Sequence, residues 1–302
     1  MNPLTSLLVM KNGEVVGEQY FRGLKANRQR NIKSASKSVL ALAVGIALER
    51  GDLKSLDEKL IDYYPDYFEG ITDERTRSIT LRNLLIMSSG QETTSFYNYG
   101  RWVASKNWVK AAIKMDQEYT PGSMMVYSTA NSHLVSAMLT KATGMSAKSY
   151  ANKYLFSRMG IRAPSWDTDP QGIYFGGNNM ALTARDLLKL GEMVRNGGKY
   201  KGRQIVPADW IAEATKTQIV SSFSRSPYGY GYFWWNYRFG GHDTIFAWGH
   251  GGQFIFIVPD LELVMVCTSR LTNRPRGIDH NGRIHRLLSD YVIPAVNVGT
   301  SY

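Results

Sequence analysis

The chain opens on two apolar stretches rich in β-branched and aromatic residues, Leu7 to Met10 and Val15 to Phe21, flanking Lys11-Asn12-Gly13-Glu14. Asn-Gly between such stretches is a strong hairpin-turn signal, so a β-hairpin is predicted. Asn31-Ile32-Lys33-Ser34 follows, and then the apolar run Val39 to Leu48 closed by Glu49-Arg50-Gly51. This pattern predicts a helix starting near Ser34, ending on a glycine C-cap, and buried because it is apolar on every face. From about residue 58 to residue 200 helical segments alternate with Gly/Pro/Asn-rich loops. Within them Thr183-Ala184-Arg185-Asp186 and the apolar positions Leu187, Leu188, Leu190, Met193 and Val194 predict a capped amphipathic helix. After Pro207, placed at a first helical position, another helix runs through Trp210 and Ala214.

Strand character returns at Tyr228 to Trp235, at Thr244 to Trp248, and in Phe254 to Val258 and Leu261 to Thr268 around the turn Pro259-Asp260. A final helix is expected over Ile284 to Val292. Two strand-rich ends around a helical middle predict an α+β fold with one antiparallel sheet built from both termini and flanked by helices. The implied domains are a sheet-bearing lobe over 1–57 and 201–302 and an inserted all-helical lobe over 58–200, with an active site at their junction.

At 302 residues the chain is long enough to bury a sizeable core. Aromatic residues make up 12% of it, more than packing requires, and surplus rings often line ligand sites. The net charge of +11 favours anionic partners at long range, but the basic residues are scattered apart from Arg22, Lys25, Arg28, Arg30 and Lys33. No nucleic-acid motif accompanies them, so a solvated basic surface is expected and no nucleic-acid partner. The single cysteine, Cys267, rules out an internal disulfide and a Cys-based zinc site and reads as a buried strand residue. His133, His242, His250, His280 and His285 lack metal-ligand spacing, so neither metal nor cofactor is expected. No run approaches the length of a membrane span. Met1 leads directly into a strand-like segment, so the chain reads as cytoplasmic as it stands, or periplasmic or secreted if a signal was removed.

Ser34-Ala35-Ser36-Lys37 matches Ser-x-x-Lys. Residues three apart share a helix face, so a desolvated, neutral Lys37 can take the Ser34 proton while the positive end of the helix favours the alkoxide. Roughly one such tetrapeptide arises by chance in a chain of this length, and a capping serine beside a solvated lysine is the bland alternative. Tyr127 lies between Pro121-Gly122 and Ser128-Thr129, where a loop turns into a helix and a phenol can serve as general base. His250-Gly251-Gly252-Gln253 precedes an apolar strand. Its glycines let substrate approach the strand edge, and the Gln253 amide can join the Ser34 amide in an oxyanion hole, although a Gly-rich turn is the commoner explanation. No G-x-S-x-G elbow is present.

Ser-x-x-Lys, then Pro-Gly-x4-Tyr-Ser about ninety residues later, then His-Gly-Gly before a terminal hairpin, resembles serine β-lactamases and penicillin-binding proteins. Ile79 to Gly90, Ala184 to Leu187 and Tyr228 to Trp235 extend the resemblance toward the branch of class C β-lactamases, D-alanyl-D-alanine carboxypeptidases, family VIII esterases and 6-aminohexanoate-dimer hydrolases. It covers about residues 7 to 292. The resemblance implies a β-lactamase/transpeptidase-like fold, an acyl-enzyme on Ser34, Lys37 and Tyr127 as the proton-transfer pair, and Ser34 and Gln253 amides as the oxyanion hole.

Where β-lactamases of that branch carry Tyr-x-Asn and Lys-Thr-Gly, this chain has Tyr127-Ser128-Thr129 and His250-Gly251-Gly252, with Asn131 one helical turn after Tyr127. These departures favour a small ester or linear amide over a lactam. The expected substrate-binding residues are His250, Gly251, Gly252, Thr129, Tyr97 and Trp234, and the aromatic segments around Phe96, Tyr97, Tyr99, Trp102 and Trp234 are expected to shape the pocket. A β-lactamase or D-Ala-D-Ala carboxypeptidase, and a non-catalytic sensor of cell-wall fragments, are the alternatives; a basic binding module rests on net charge alone. The oligomeric state is open.

Overall fold

The opening hairpin forms as its turn residues dictate. In the computed structural model, which describes residues 3–221, 227–271 and 279–298, β1 (Leu4–Lys11) pairs antiparallel with β2 (Glu14–Tyr20). Asn12 and Gly13 take φ of 53° and 80°, the left-handed pair that a type I′ turn requires.

The other end of the chain supplies β3 (Ile219–Val220), β4 (Gly229–Tyr230), β5 (Trp235–Phe239), β6 (His242–Gly249), β7 (Gln253–Val258) and β8 (Leu263–Ser269). All eight strands form one sheet in the order β2-β1-β8-β7-β6-β5-β4-β3, every adjacent pair antiparallel. β1 lies between β2 and β8, with Leu8 opposite Val266, so the two ends of the chain meet in mid-sheet. The strand expected over Tyr228 to Trp235 is two short ones instead. Phe233 takes φ of 61° and an added Cβ on Gly231 would lie 2.2 Å from the Ala214 carbonyl, so the chain bends tightly between them.

β7 and β8 are buried along their whole length, Cys267 included, and burial pushes its thiol up to about 12. Alternate side chains leave opposite faces, so such strands need cover on both. The five longest α-helices among the described residues are α1 (Ala35–Glu49), α2 (Thr129–Thr143), α3 (Ala184–Arg195), α4 (Ala208–Thr215) and α5 (His280–Arg286). Ile255 and Val264 face α3, where an added Cβ on Gly191 would lie 2.8 and 2.6 Å from them. Phe254 and Phe256 face His285 of α5, with ring centroids 5.3 and 5.9 Å apart.

α1 is buried through Ala47 and packs on β6 and β7. Gly45 in its interior, where alanine would favour the helix by about 1 kcal/mol, has a packing reason. A Cβ there would lie 2.1 Å from Trp210 of α4, whose indole donates to the Ala41 carbonyl at 2.9 Å. Pro207 stands just outside α4 as its N-cap, one position before the expected first turn.

The capping box at Thr183 and Asp186 forms as expected. α3 nonetheless falls inside the stretch read as the helical lobe and packs on β1, β7 and β8, because its apolar stripe has the sheet to cover. The shorter helices Leu60–Tyr63, Leu81–Leu85, Trp108–Ile113 and Ala147–Ala151 gather around α2. The terminal helix is longer than expected: it starts at His280, capped by Asp279, and continues through a wider turn over Leu287–Val292 to Val298.

Candidate active site

Ser34 is the N-cap residue of α1, yet its side chain makes no capping hydrogen bond. Its hydroxyl accepts instead from Lys37 Nζ at 3.0 Å and shares a hydrogen bond with Tyr127. The chain reaches this point through Lys33 at φ of 53°, a left-handed conformation held by its N–H donating to Asn31 Oδ1 at 2.9 Å. The capping serine beside a solvated lysine is therefore not what forms: Lys37 is 1% exposed.

Lys37 Nζ also donates to the Gly177 carbonyl at 2.8 Å. A buried ammonium without a carboxylate loses hydration with little return, and burial lowers the Lys37 amine to about 7. Neutral and charged forms thus coexist near neutral pH. Gly177 must lack a side chain to serve this amine, since an added Cβ would lie 2.9 Å from Lys37 Nζ and 2.3 Å from Ser132 Oγ.

Tyr127 is held by a clamp of hydroxyls. Thr93 Oγ1 donates to the Tyr127 carbonyl at 2.7 Å, and the Thr94 and Ser95 hydroxyls accept from the N–H groups of Ala130 and Thr129 at 2.8 and 2.9 Å. These side chains satisfy the open donors at the start of α2. Burial pushes the Tyr127 phenol up to about 12, against the opposing pull of its bond to Ser34, so it stays protonated at neutral pH. The Lys37 amine lies 5.2 Å from the centre of its ring.

Ser34 and Tyr127 open into a cleft of about 280 Å³ walled by Phe96, Tyr228, Trp235 and Trp248. Trp235 stacks on Tyr127 with centroids 5.8 Å apart. His250 and Asn281 supply the remaining polar lining. The β6–β7 turn comes close to the nucleophile because Gly249 passes over the Ile32 carbonyl, where an added Cβ would be 2.1 Å away.

The structure brings Ser34, Lys37, Tyr127 and His250 together and disperses other expected site residues. Of the aromatic residues expected to shape the pocket, Phe96 takes a wall position, Tyr97 is 77% exposed and outside the lining, and Trp102 is buried against Trp108. Trp234, in the bend just before β5, is 1% exposed and packed in the core, and Trp235, the first residue of the strand, lines the cleft instead. Thr129 is buried and its hydroxyl is shared with Ser95 at 2.8 Å. Asn131 turns away, its amide oxygen accepting from Ser89 at 3.1 Å. Gly251 and Gly252 have φ of 87° and 96°, and a Cβ on Gly252 would lie 2.7 Å from the His280 ring. Gly252 thus makes room for α5 rather than for substrate. Gln253 opens β7, its side-chain amide locked in reciprocal hydrogen bonds with the Ser269 backbone at 2.8 and 3.0 Å, which leaves only its main chain for chemistry.

The sequence reading missed the Thr93–Ser95 clamp, the Gly177 carbonyl and the lining residues Tyr228, Trp235, Trp248 and Asn281. Only the Gly176-Gly177 pair signalled a close backbone approach. Among the described residues no group of three or more His, Cys, Asp or Glu side chains is placed to hold a metal ion. No helix among them is long and apolar enough to cross a membrane.

The sequence matches the family model described as Beta-lactamase over residues 3–289. The chain belongs to the β-lactamase family. A 6-aminohexanoate-dimer hydrolase of Paenarthrobacter ureafaciens is 21% identical over 68% of this chain, a match that spans just over half, 55%, of that relative's length. Among solved structures, an octameric penicillin-binding protein homologue from Pyrococcus abyssi superposes with a TM-score of 0.75 at 20% identity, covering 98% of this chain and 74% of that one. EstCE1, a hydrolase with promiscuous acyltransferase activity, superposes with a TM-score of 0.74 at 18% identity, covering 95% and 93%. At such identities the superpositions establish the fold, and the β-lactamase/transpeptidase-like architecture is the one expected.

Proposed function

We propose that this protein is a serine hydrolase acting on carboxylic esters or small linear amides through an acyl-Ser34 intermediate. The observation that carries this reading is the Ser34 hydroxyl, 3.0 Å from an amine that burial holds at about 7 and in contact with a phenol that stays protonated. Neutral Lys37 removes the Ser34 proton as Oγ attacks the substrate carbonyl carbon. The developing oxyanion is taken by the amides of Ser34 and Gln253, the first of which lies at the positive end of α1. The tetrahedral adduct expels an alcohol or amine, protonated by Tyr127, which recovers its proton from Lys37. Water then attacks the acyl carbon as the pair takes its proton, the Ser34 Oγ–acyl bond breaks with that proton delivered to Oγ, and the carboxylic acid leaves with Ser34 and the pair restored.

The cleft favours an ester or linear amide over a β-lactam. Its walls are aromatic, and no lysine or arginine lines it among the described residues, so a lactam carboxylate finds no cationic partner there. A relative named as a 6-aminohexanoate-dimer hydrolase is compatible with a linear substrate.

Ser34→Ala is expected to lower turnover of p-nitrophenyl butyrate by about 10³-fold or more. Intact mass spectrometry of the wild type is expected to show one acyl group on the peptide holding Ser34, and nitrocefin should turn over far more slowly than the ester. Undiminished ester hydrolysis by Ser34→Ala would sink the assignment.

A further inference from the structure

A second concavity, of about 530 Å³, lies where the loop after β2 meets the start of β1 and the end of β8. Five basic side chains line it: Arg22, Lys25, Arg28, Arg30 and Arg270. Four of them fall within nine residues of sequence, which is the short basic stretch already noticeable there. The fifth comes from the far end of the chain. Pairing of Leu4 with Ser269 and donation of the Arg270 N–H to the Pro3 carbonyl at 2.9 Å bring it alongside.

Among the described residues no aspartate or glutamate lines this groove. Several arginines elsewhere have carboxylate partners: Arg75 with Asp73 at 2.7 Å, Arg195 with Glu192 at 2.7 Å, and Arg185 with Glu18 at 2.6 Å. Among the described residues no such partner serves Lys25, Arg28, Arg30 or Arg270. Like charges gathered in a concavity repel one another, and surfaces ordinarily intersperse the two signs. Here the backbone keeps them together. Arg30 is bridged to Leu182, the Arg28 N–H donates to the Lys25 carbonyl at 2.9 Å, and Arg22 is held at φ of 58° beside Gly23 at 71°.

We infer that this groove is a second binding site, separate from the active-site cleft, for a ligand bearing two or more phosphate groups. Guanidinium forks match phosphate oxygens in pairs, and several of them converging on one concavity suit several anionic groups in a row better than a single carboxylate. The two concavities share no lining residue. The same chemistry is offered by a free oligophosphate and by clustered lipid headgroups.

The test is calorimetric titration of the full chain with sodium tripolyphosphate at low ionic strength. One saturable site is expected, with affinity falling steeply as salt is added. The double variant Arg28→Ala/Arg270→Ala should weaken binding by about tenfold or more, as the loss of two charge-assisted contacts requires, with the unfolding temperature unchanged. Lys110→Ala/Lys114→Ala, which removes the same charge from another surface, should bind as the wild type does. Phosphatidylglycerol vesicles separate the two sources. Binding to them that tripolyphosphate competes away assigns a headgroup ligand, and no vesicle binding beside a normal tripolyphosphate titration assigns a soluble one. Absence of a saturable titration, equal weakening in both double variants, or binding of an oligonucleotide without binding of tripolyphosphate overturns the inference.

Discussion

Lys37 is buried with its amine between the Ser34 hydroxyl and the Gly177 carbonyl, and among the described residues no carboxylate accompanies it. Its value of about 7 against an ordinary 10.5 has two consequences of opposite benefit. The neutral amine is available as a base, so ester turnover is expected to rise with pH through about 7. The folded state also carries a cost. Between about pH 7 and 10.5 the unfolded chain holds a proton on this lysine that the folded chain has lost, so stability rises with pH across that window. Below pH 7 the full penalty of a buried ammonium is present. Lys37→Met keeps the volume and removes the amine. It should lower turnover by about 10²–10⁴-fold while raising resistance to urea at pH 6, an advantage that shrinks as pH climbs toward 10.5. Urea melts of both proteins at a series of pH values test this, and a variant less stable than wild type at pH 6 would contradict it.

At the scale of elements, α5 shows how a helix secures the sheet that carries the site. Its His285 ring packs among Phe239, at 4.9 Å between centroids, and Phe254, at 5.3 Å. Its Nε2 has no hydrogen-bond partner among the described residues, and burial lowers the imidazole to about 4 from 6.5. The folded-state value lies below the unfolded one, so the unfolded chain takes up the proton first as pH falls. Stability from the neutral ring is present above about pH 6.5 and lost progressively toward pH 4. His285→Phe should flatten the pH dependence of the unfolding temperature over that window without altering turnover near neutral pH. An unchanged acid slope would show that other groups set it. The same helix braces the start of β7, because Gly252 packs against the His280 ring and Gln253 is tied to Ser269, whose hydroxyl pairs with His280 at 2.9 Å.

For the molecule as a whole, the decisive feature is the meeting of the two chain ends in one sheet. β1 covers one edge of β8, a strand buried at every position, and the pairing joins Leu7 to Cys267. Removing residues 1–20 would leave β8 as an exposed apolar edge of the kind that templates aggregation. Such a truncated chain is expected to be insoluble or to lack cooperative unfolding by circular dichroism, although Ser34, Lys37 and Tyr127 all remain. A soluble, cooperatively folding truncation would contradict the role given to β1. Pairing over so long a separation also makes slow folding the expectation.

Local pattern alone determined the Asn12-Gly13 turn, the buried helix behind Ser34, the capping box of α3, the last two strands of the sheet, and the Ser34 and Lys37 pair on one helical turn. Each of these depends on residues within a few positions of one another, where backbone sterics and side-chain periodicity act directly. The ordered motifs added Tyr127 and the β6–β7 turn through resemblance to a known family. Tertiary structure decided the remainder: that Trp235 rather than Trp234 and Phe96 rather than Tyr97 face the cleft, that Thr129 is tied to Ser95, that α3 belongs to the sheet, and that Gly177 holds the lysine. Which side a ring faces depends on where a strand ends and what packs behind it. Which carbonyl meets a buried amine depends on how a helix and a loop 140 positions apart come together. Such contacts are selected by the free energy of the whole packed chain, and no local window of sequence contains it.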